Sequence, residues 1–318
     1  DRLRSRGLGD VYKRQLYDSL PIGKKRGNLY SEIDGIGASR YYVVDAITSL
    51  IAGYAFVLNP YLPIIFCFIA NIISTILATR FRSIKFQNEQ VEVKEGVREY
   101  FRQLGEAIRF TKKSKRIFCL LLYFGLVSGL IYNLTTFRSI VLEGISIPEH
   151  YFGIIFAISQ MVAAICAKAQ IFIHKRFRNK TLAVLGIPLT ISCIIIGFLA
   201  MIGTSTTFKV IIVLLFVFQG AIKGAYNVLI YRYLNNFTNR KIRTKLATIR
   251  NMFYNISSIF ISLFGAMLLN YTDSANTIII VGCMMTILII LLLDYMRGKV
   301  GLKPEQYKKE DLKYMPKK

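Results

Sequence analysis

Four polar residues share one face of an apolar stretch of the chain. The stretch covers residues 210–231 and is long enough to form a helix across a bilayer. The polar positions are spaced i, i+4, i+7 and i+8, so a helix places them on one side: Gln219, Lys223, Tyr226 and Asn227. A lysine near the middle of a membrane costs about 2.5–3.5 kcal/mol to insert, so it requires a partner or an aqueous cavity. The pattern predicts a cavity lining that can bind a polar solute, beside a face that packs closely through Gly220 and Gly224.

Three further polar residues lie inside apolar stretches. Asp45 lies about two turns into the stretch 39–58, where a carboxylate could carry a proton. The alternative for Asp45 is an ion pair with Arg40 near the membrane surface. Gln160 could face the same cavity or form a hydrogen bond between helices. Lys168 is closer to the end of its stretch, where its long side chain can reach the surface.

The elements that must position these residues are eight hydrophobic stretches, each long enough for a transmembrane helix. They are 39–58, 61–79, 117–137, 151–173, 181–202, 210–231, 246–269 and 276–296. Hydrophobic residues make up 53% of the 318 residues, which suits a chain that lies mostly in lipid. The predicted fold is all-α, a polytopic transmembrane helix bundle.

Positive charge is concentrated on alternate loops. The formal net charge is +24, which in a soluble protein would suggest nucleic-acid binding. Without residues 1–15, the predicted loops and the tail on one side carry 31 Lys and Arg residues, in 16–38, 80–116, 174–180, 232–245 and 297–318. The opposite loops, 59–60, 138–150, 203–209 and 270–275, carry only Arg138 and Lys209. Because basic loops stay in the cytoplasm, we predict a multi-pass protein of the cell membrane with both termini cytoplasmic. Its basic loops then face anionic lipid headgroups. No nucleic-acid partner is expected, because no basic segment has the interleaved aromatics that stack on bases.

The sequence patterns that indicate metal, cofactor or enzyme chemistry do not occur. All five cysteines lie in hydrophobic stretches, without CxxC or Cys/His metal spacing. The segment 23–27 lacks the Walker A spacing, which argues against ATP-driven pumping. There is no HExxH motif, and no Ser/His pair lies at matched membrane depth. We therefore predict no metal, no cofactor and no enzymatic activity.

The chain divides into five segments. Residues 1–15 have no starting Met and no apolar core, and they look like a translated sequencing-adapter remnant, so we expect the native protein to begin further upstream. Residues 16–79 hold the first two predicted spans. Residues 80–116 form a basic loop whose apolar residues recur at helical spacing, which predicts an amphipathic helix in the interface or a solvated linker helix. Residues 117–296 hold the other six spans, and residues 297–318 form a basic tail.

Two spans, a large basic loop and six further spans resemble a bacterial transporter of the major facilitator superfamily that has lost its first four helices. Three short motifs in the loops carry the same resemblance: Tyr17-Asp18-Ser19-Leu20, the basic run 176–180, and Tyr233-Leu234-Asn235 followed by Arg243-Thr244. The resemblance implies that the spans are helices five to twelve of twelve. It also implies a central loop at residues 80–116.

The family resemblance implies secondary active transport of a small molecule by alternating access, with no enzymatic step. Proton-coupled export of drugs or metabolites is the first expectation, so the expected partners are a small-molecule substrate and a coupling ion, in a monomeric protein. Basic residues at the cytoplasmic side are gate candidates, because their charges can pair with the other half in one state only: Arg176, Arg178, Lys180, Arg243 and Arg250. The alternative for the loop residues is that they only fix orientation.

Two other functions remain open. The first span lacks the Gly-Pro pair found in helix five of proton-coupled drug exporters, so nutrient uptake by a member of the same superfamily is the nearest alternative. A polytopic protein that binds or senses lipid without transport is the alternative from a different class.

Overall fold

A computed structural model describes residues 26–79, 105, 109, 115–177, 180–203, 205–236 and 240–296. The regular structure of these residues is helical, which confirms the predicted all-α fold. Its helices are α1 (Arg26–Leu58), α2 (Leu62–Thr79), α3 (Lys115–Gly144), α4 (His150–Phe177), α5 (Thr181–Ile202), α6 (Thr206–Asn236), α7 (Arg240–Leu269) and α8 (Ser274–Met296). The segments 1–15 and 297–318, and nearly all of 80–116 with its predicted amphipathic helix, lie outside the described residues.

The lengths of the helices fit a membrane protein. Seven of those described are long and apolar enough to cross a bilayer. The exception is α2, whose apolar part is the shorter Leu62–Leu77. The predicted order of eight hydrophobic segments is therefore confirmed, with seven of them at full membrane length.

Several helix boundaries differ from the sequence prediction, and two differ most. α1 begins at Arg26 rather than at residue 39, so part of the predicted basic loop is helical. α3 continues beyond residue 137 as far as Gly144. The placement of Arg138 in a loop is therefore wrong, because this residue is buried inside α3. Hydropathy patterns end at charged residues, whereas a helix continues as long as its backbone hydrogen bonds and its packing are maintained.

α3 lies in the core of the bundle and packs most extensively against α7 and α8. Polar groups fix it to its neighbours. The hydroxyl of Tyr123 donates a hydrogen bond to the carbonyl oxygen of Leu182 on α5, at 2.8 Å. The side-chain amide of Asn133 donates to the carbonyl oxygen of Ser258 on α7, at 3.1 Å. Without a hydrophobic driving force between helices in lipid, such bonds and close packing set the arrangement of the bundle.

Small residues let α1, α4 and α6 approach one another closely. A Cβ atom added to Gly53 of α1 would lie only 2.8 Å from the Cα of Gly153 on α4. Cβ atoms on Gly220 and Gly224 of α6 would overlap α4, in the second case at the carbonyl oxygen of Ala163. The predicted close packing of the glycine face of α6 is confirmed. These three helices therefore form one closely packed row, with α4 in the middle.

Candidate functional site

A cavity of about 660 Å³ lies between α1, α3, α6 and α7. We call it the main cavity; its volume is within the range of about 300–1,000 Å³ that is typical of small-molecule sites. Its charged lining residues are Asp34, Lys223 and Arg250. Its aromatic lining residues are Tyr41, Tyr42, Phe124, Tyr132, Tyr231 and Tyr254. The wall thus combines aromatic rings with a few charged groups.

Lys223 lies at the centre of the polar contacts in the wall. Its Nζ donates a hydrogen bond to Oε1 of Gln160 on α4, at 3.3 Å. The same ammonium group lies 5.4 Å from the centre of the Tyr42 ring, within the range of a cation–π contact. The neighbouring Asn227 donates a hydrogen bond from Nδ2 to the hydroxyl of Tyr42, at 2.6 Å. Three helices, α1, α4 and α6, therefore meet at this lysine.

Arg250 forms another charged part of the wall. It is buried, with 5% of its surface exposed. Its guanidinium lies 4.4 Å from the ring centre of Tyr231 and 5.3 Å from that of Phe124, and it donates to Oδ1 of Asn251 at 3.2 Å. The rings of α3 and α6 hold the charge against the cavity, since a cation over an aromatic face is stabilised by the ring quadrupole. Arg250 thus forms part of the inner wall of the bundle.

Asp34 is a lining residue that the sequence analysis missed. Because residues 16–38 were treated as a loop, its carboxylate was not considered as a membrane group. Asp34, Ala38, Tyr41 and Tyr42 follow the spacing i, i+4, i+7 and i+8, and all four line the main cavity. The same spacing that predicted the stripe of α6 would have found this face of α1.

A second, smaller space of about 20 Å³ adjoins the main cavity. We call it the inner space. Lys223, Thr135 and Ile131 line both. The inner space is also lined by Arg138 and Gln219, two buried polar residues of α3 and α6.

The six residues predicted for a solute or ion path occupy different places. Lys223 and Asn227 line the main cavity, while Gln160 and Gln219 line the inner space. Tyr226 is fully buried, and its hydroxyl lies 3.3 Å from Oγ of Ser128 and 3.4 Å from the carbonyl oxygen of Phe124, so it connects α6 to α3. Asp45 is half-buried on α1 and interacts electrostatically with Lys223, but it is not among the lining residues of either space.

The five gate candidates are also dispersed. Arg176, in the last turn of α4, and Lys180, just before α5, are exposed. Arg178 lies outside the described residues, and Arg243 is described only as part of the backbone of α7. Of the three whose side chains are described, Arg250 is the one that lines the main cavity. The gate function of all five stays a prediction.

The fold and the site define a class of protein: a polytopic membrane protein whose helix bundle encloses a polar cavity of the size of a small molecule. The family model of the Major Facilitator Superfamily matches residues 175–313, from the end of α4 to beyond α8. This part of the chain is therefore similar to the Major Facilitator Superfamily, which is a family of membrane transporters rather than enzymes. No curated protein matches the chain.

Proposed function

We propose that this protein is a secondary active transporter that moves a small molecule through the main cavity by alternating access. The observation that carries the proposal is the cavity itself, which brings Lys223, Arg250 and Asp34 together inside a bundle of membrane-length helices. Charged groups at membrane depth are costly, so their presence around a space of this volume favours a path for a polar solute. In this family two groups of helices move about such a central site.

The packing of α1 suggests which parts move relative to each other. α1 packs extensively against α4 and much less against α6, and it faces α3 and α7 across the main cavity. The lining residues of α1 fall within 34–42 and those of α7 within 250–254, which are the halves of both helices nearer the basic loops. Gly53 and Gly153 touch nearer the opposite end. We assign this arrangement to the inward-facing state, with both termini in the cytoplasm of the cell and the cavity directed towards it.

Proton-coupled export is the finer form of the proposal, and the family resemblance is its main support. Asp45 is the candidate proton carrier, because its carboxylate interacts electrostatically with Lys223. Protonation of Asp45 would remove a negative charge next to the substrate site, so the occupancy of the cavity and the charge of Asp45 would be linked. Gln160, which accepts a hydrogen bond from Lys223, extends the same network to α4.

The test is transport by the full-length protein in liposomes that contain a pH-sensitive dye. A panel of anionic, cationic and neutral solutes is applied to vesicles with an imposed pH gradient. We expect at least one solute to drive proton movement and a protonophore to stop its net flux. We expect the Asp45→Asn variant to exchange this solute across the membrane while moving no protons.

Two results would contradict the proposal. Solute flux that is unchanged after the proton gradient is collapsed would indicate passive facilitation. No flux with any member of the panel, from folded protein in intact vesicles, would favour the lipid-binding or sensor function instead.

A further inference from the structure

Two cations line the inner space. They are the buried Arg138 of α3 and the partly buried Lys223 of α6, and no carboxylate is among the described residues that line this space. We propose that the protein binds an organic anion, with its acidic group at the junction of the inner space and the main cavity and its body in the main cavity. The proposal names a substrate class for the site of the proposed function and rests on that function. A carboxylate, a sulfonate or a phosphate ester supplies the required acidic group.

The guanidinium of Arg138 forms hydrogen bonds to neutral groups, and these use only some of its donors. Arg138 is 7% exposed. Its two terminal nitrogens donate to Oγ of Ser159 at 3.2 Å and to the carbonyl oxygen of Phe216 at 3.5 Å, and its guanidinium lies over the rings of Phe156 and Phe216. Its Nε has no hydrogen-bond partner among the described residues. A buried cation without an opposite charge is costly, so an anion that enters beside Arg138 lowers the free energy of the site.

Lys223 lines both the inner space and the main cavity, so its charge acts in both. An ammonium group has three hydrogen-bond donors. Within the described part of the chain, the hydrogen bond to Gln160 uses one of them. Because Lys223 and Thr135 line both spaces, an acidic group in the main cavity can bind Lys223 and lie next to Arg138.

The charges around the two spaces are not balanced. Among the described residues, three cations line them, namely Lys223, Arg138 and Arg250, against one lining carboxylate, Asp34. Asp45 acts on Lys223 from outside the lining and adds a second negative charge. A low-dielectric cavity with an excess of one sign concentrates solutes of the opposite sign, so the site favours an anion over a cation of equal size.

The rest of the wall favours an apolar or aromatic body on the anion. Tyr132 and Tyr254 meet edge to face with ring centres 6.0 Å apart, and Tyr41 and Tyr42 do so at 5.5 Å. All four line the main cavity. Tyrosine rings offer apolar faces together with hydroxyl groups at their edges, so they accept an aromatic ring that also carries polar substituents.

The test measures the charge preference of the cavity directly and needs no knowledge of the substrate. A cysteine is introduced by Thr135→Cys, at an exposed position that lines both spaces. The full-length protein is treated with two thiol reagents of similar size, the anionic sulfonatoethyl and the cationic trimethylammonioethyl methanethiosulfonate. The reaction rate at this position is read by mass spectrometry of the peptide, which separates it from the five native cysteines. A small free thiol in solution gives the intrinsic ratio of the two rates.

We expect the ratio of anionic to cationic rates to exceed the intrinsic ratio by at least about tenfold, because two cations lie beside the introduced thiol. We expect this excess to fall when Lys223→Met is added. A ratio equal to or below the intrinsic value would overturn the anion proposal while leaving a solvent-accessible cavity for transport of another class of solute. Reaction with neither reagent would show that the cavity is not accessible from solvent, and would contradict the proposed function as well.

A second cysteine position allows the same measurement if the Thr135→Cys variant does not fold. Gly37 lines the main cavity on α1, and a Cβ atom built there meets nothing within 4 Å, so Gly37→Cys adds a thiol without a clash. It is one turn from Asp34, which is also in the lining. We expect a smaller anionic excess at Gly37 than at Thr135. A larger excess at Gly37 would place the anion-binding region away from Lys223 and Arg138, and would contradict the assigned site.

Discussion

Asn227 of α6 donates a hydrogen bond to the hydroxyl of Tyr42 on α1 at 2.6 Å, and the ring of Tyr42 lies 5.4 Å from Nζ of Lys223. One tyrosine thus contacts both the polar stripe of α6 and the charge in the main cavity. The bond is also a direct link between α1 and α6, two of the helices that enclose the main cavity. Any movement of α1 relative to α6 would have to break this bond.

Removal of this hydroxyl should weaken the link without changing the shape of the ring. We expect Tyr42→Phe to lower the free energy of unfolding by about 0.6 kcal/mol, and by no more than about 1.7 kcal/mol, as for other hydrogen bonds between membrane helices. Reversible unfolding in detergent measures the change. In a double-mutant cycle with Asn227→Ala, the second substitution should have little further effect once the first is present.

Tyr41→Phe is the matched control for the hydroxyl of Tyr42. Tyr41 also lines the main cavity, but its hydroxyl forms no hydrogen bond with the described residues. Its substitution should leave the stability nearly unchanged. Equal losses in Tyr41→Phe and Tyr42→Phe would show that the bond to Asn227 contributes nothing specific.

Loss of the Lys223 charge should reduce transport. Lys223→Ala removes a charge-assisted hydrogen bond and the cation–π contact of the cavity wall. An interaction with a charged group is worth about 1.5–3 kcal/mol, which corresponds to about tenfold or more in kcat/KM. The control is Lys168→Ala, because Lys168 is exposed on α4. Equal transport by the two variants at equal expression would exclude Lys223 from the substrate site.

The contact between α4 and α6 should not tolerate a methyl group. A Cβ atom at Gly224 overlaps the carbonyl oxygen of Ala163, so Gly224→Ala must push the two helices apart. We expect a loss of about 1–3 kcal/mol in the free energy of unfolding, as for other overpacked interiors.

Gly37→Ala is the control, and it should raise the free energy of unfolding instead of lowering it. A Cβ atom at Gly37 meets nothing within 4 Å, and alanine is favoured over glycine in a helix by about 0.5–1 kcal/mol. Thermal unfolding of both variants in the same detergent gives the comparison. A stable Gly224→Ala variant would mean that α4 and α6 do not touch as described.

The proposed orientation can be tested from the two ends of the bundle. Ser146 lies in the exposed connection between α3 and α4, and Lys180 is exposed at the opposite end, before α5. In intact cells we expect a membrane-impermeant thiol reagent to label a Ser146→Cys variant and to leave a Lys180→Cys variant unlabelled until the membrane is permeabilised. The reverse pattern would invert the topology inferred from the positive charges.

Local patterns determined the helices and their order. The apolar stretches predicted the eight hydrophobic segments, because the bilayer sets the length of a spanning helix whatever its neighbours are. The spacing of Gly220 and Gly224 likewise predicted a closely packed face, since small residues four positions apart lie on one side of a helix.

The sequence could not decide which partner each polar side chain meets. Tyr226 and Lys223 were placed on one stripe, yet Tyr226 is buried against Ser128 while Lys223 lines the main cavity. The two positions are about 60° apart around the helix axis, and only the placement of α3 decides which of them faces a neighbour and which faces a space.

The tertiary structure also decided the ends of the helices and the contents of the cavity. Arg138 looked like a loop residue and Asp34 like part of a basic loop, because both lie where hydropathy falls. Continued helix and packing against other elements bring Arg138 to the inner space and Asp34 to the main cavity. Membrane insertion depends on hydrophobicity summed along each segment, which the sequence by itself contains. A cavity is made by side chains from helices far apart in the chain, so its charge and its lining depend on contacts that only the folded bundle defines.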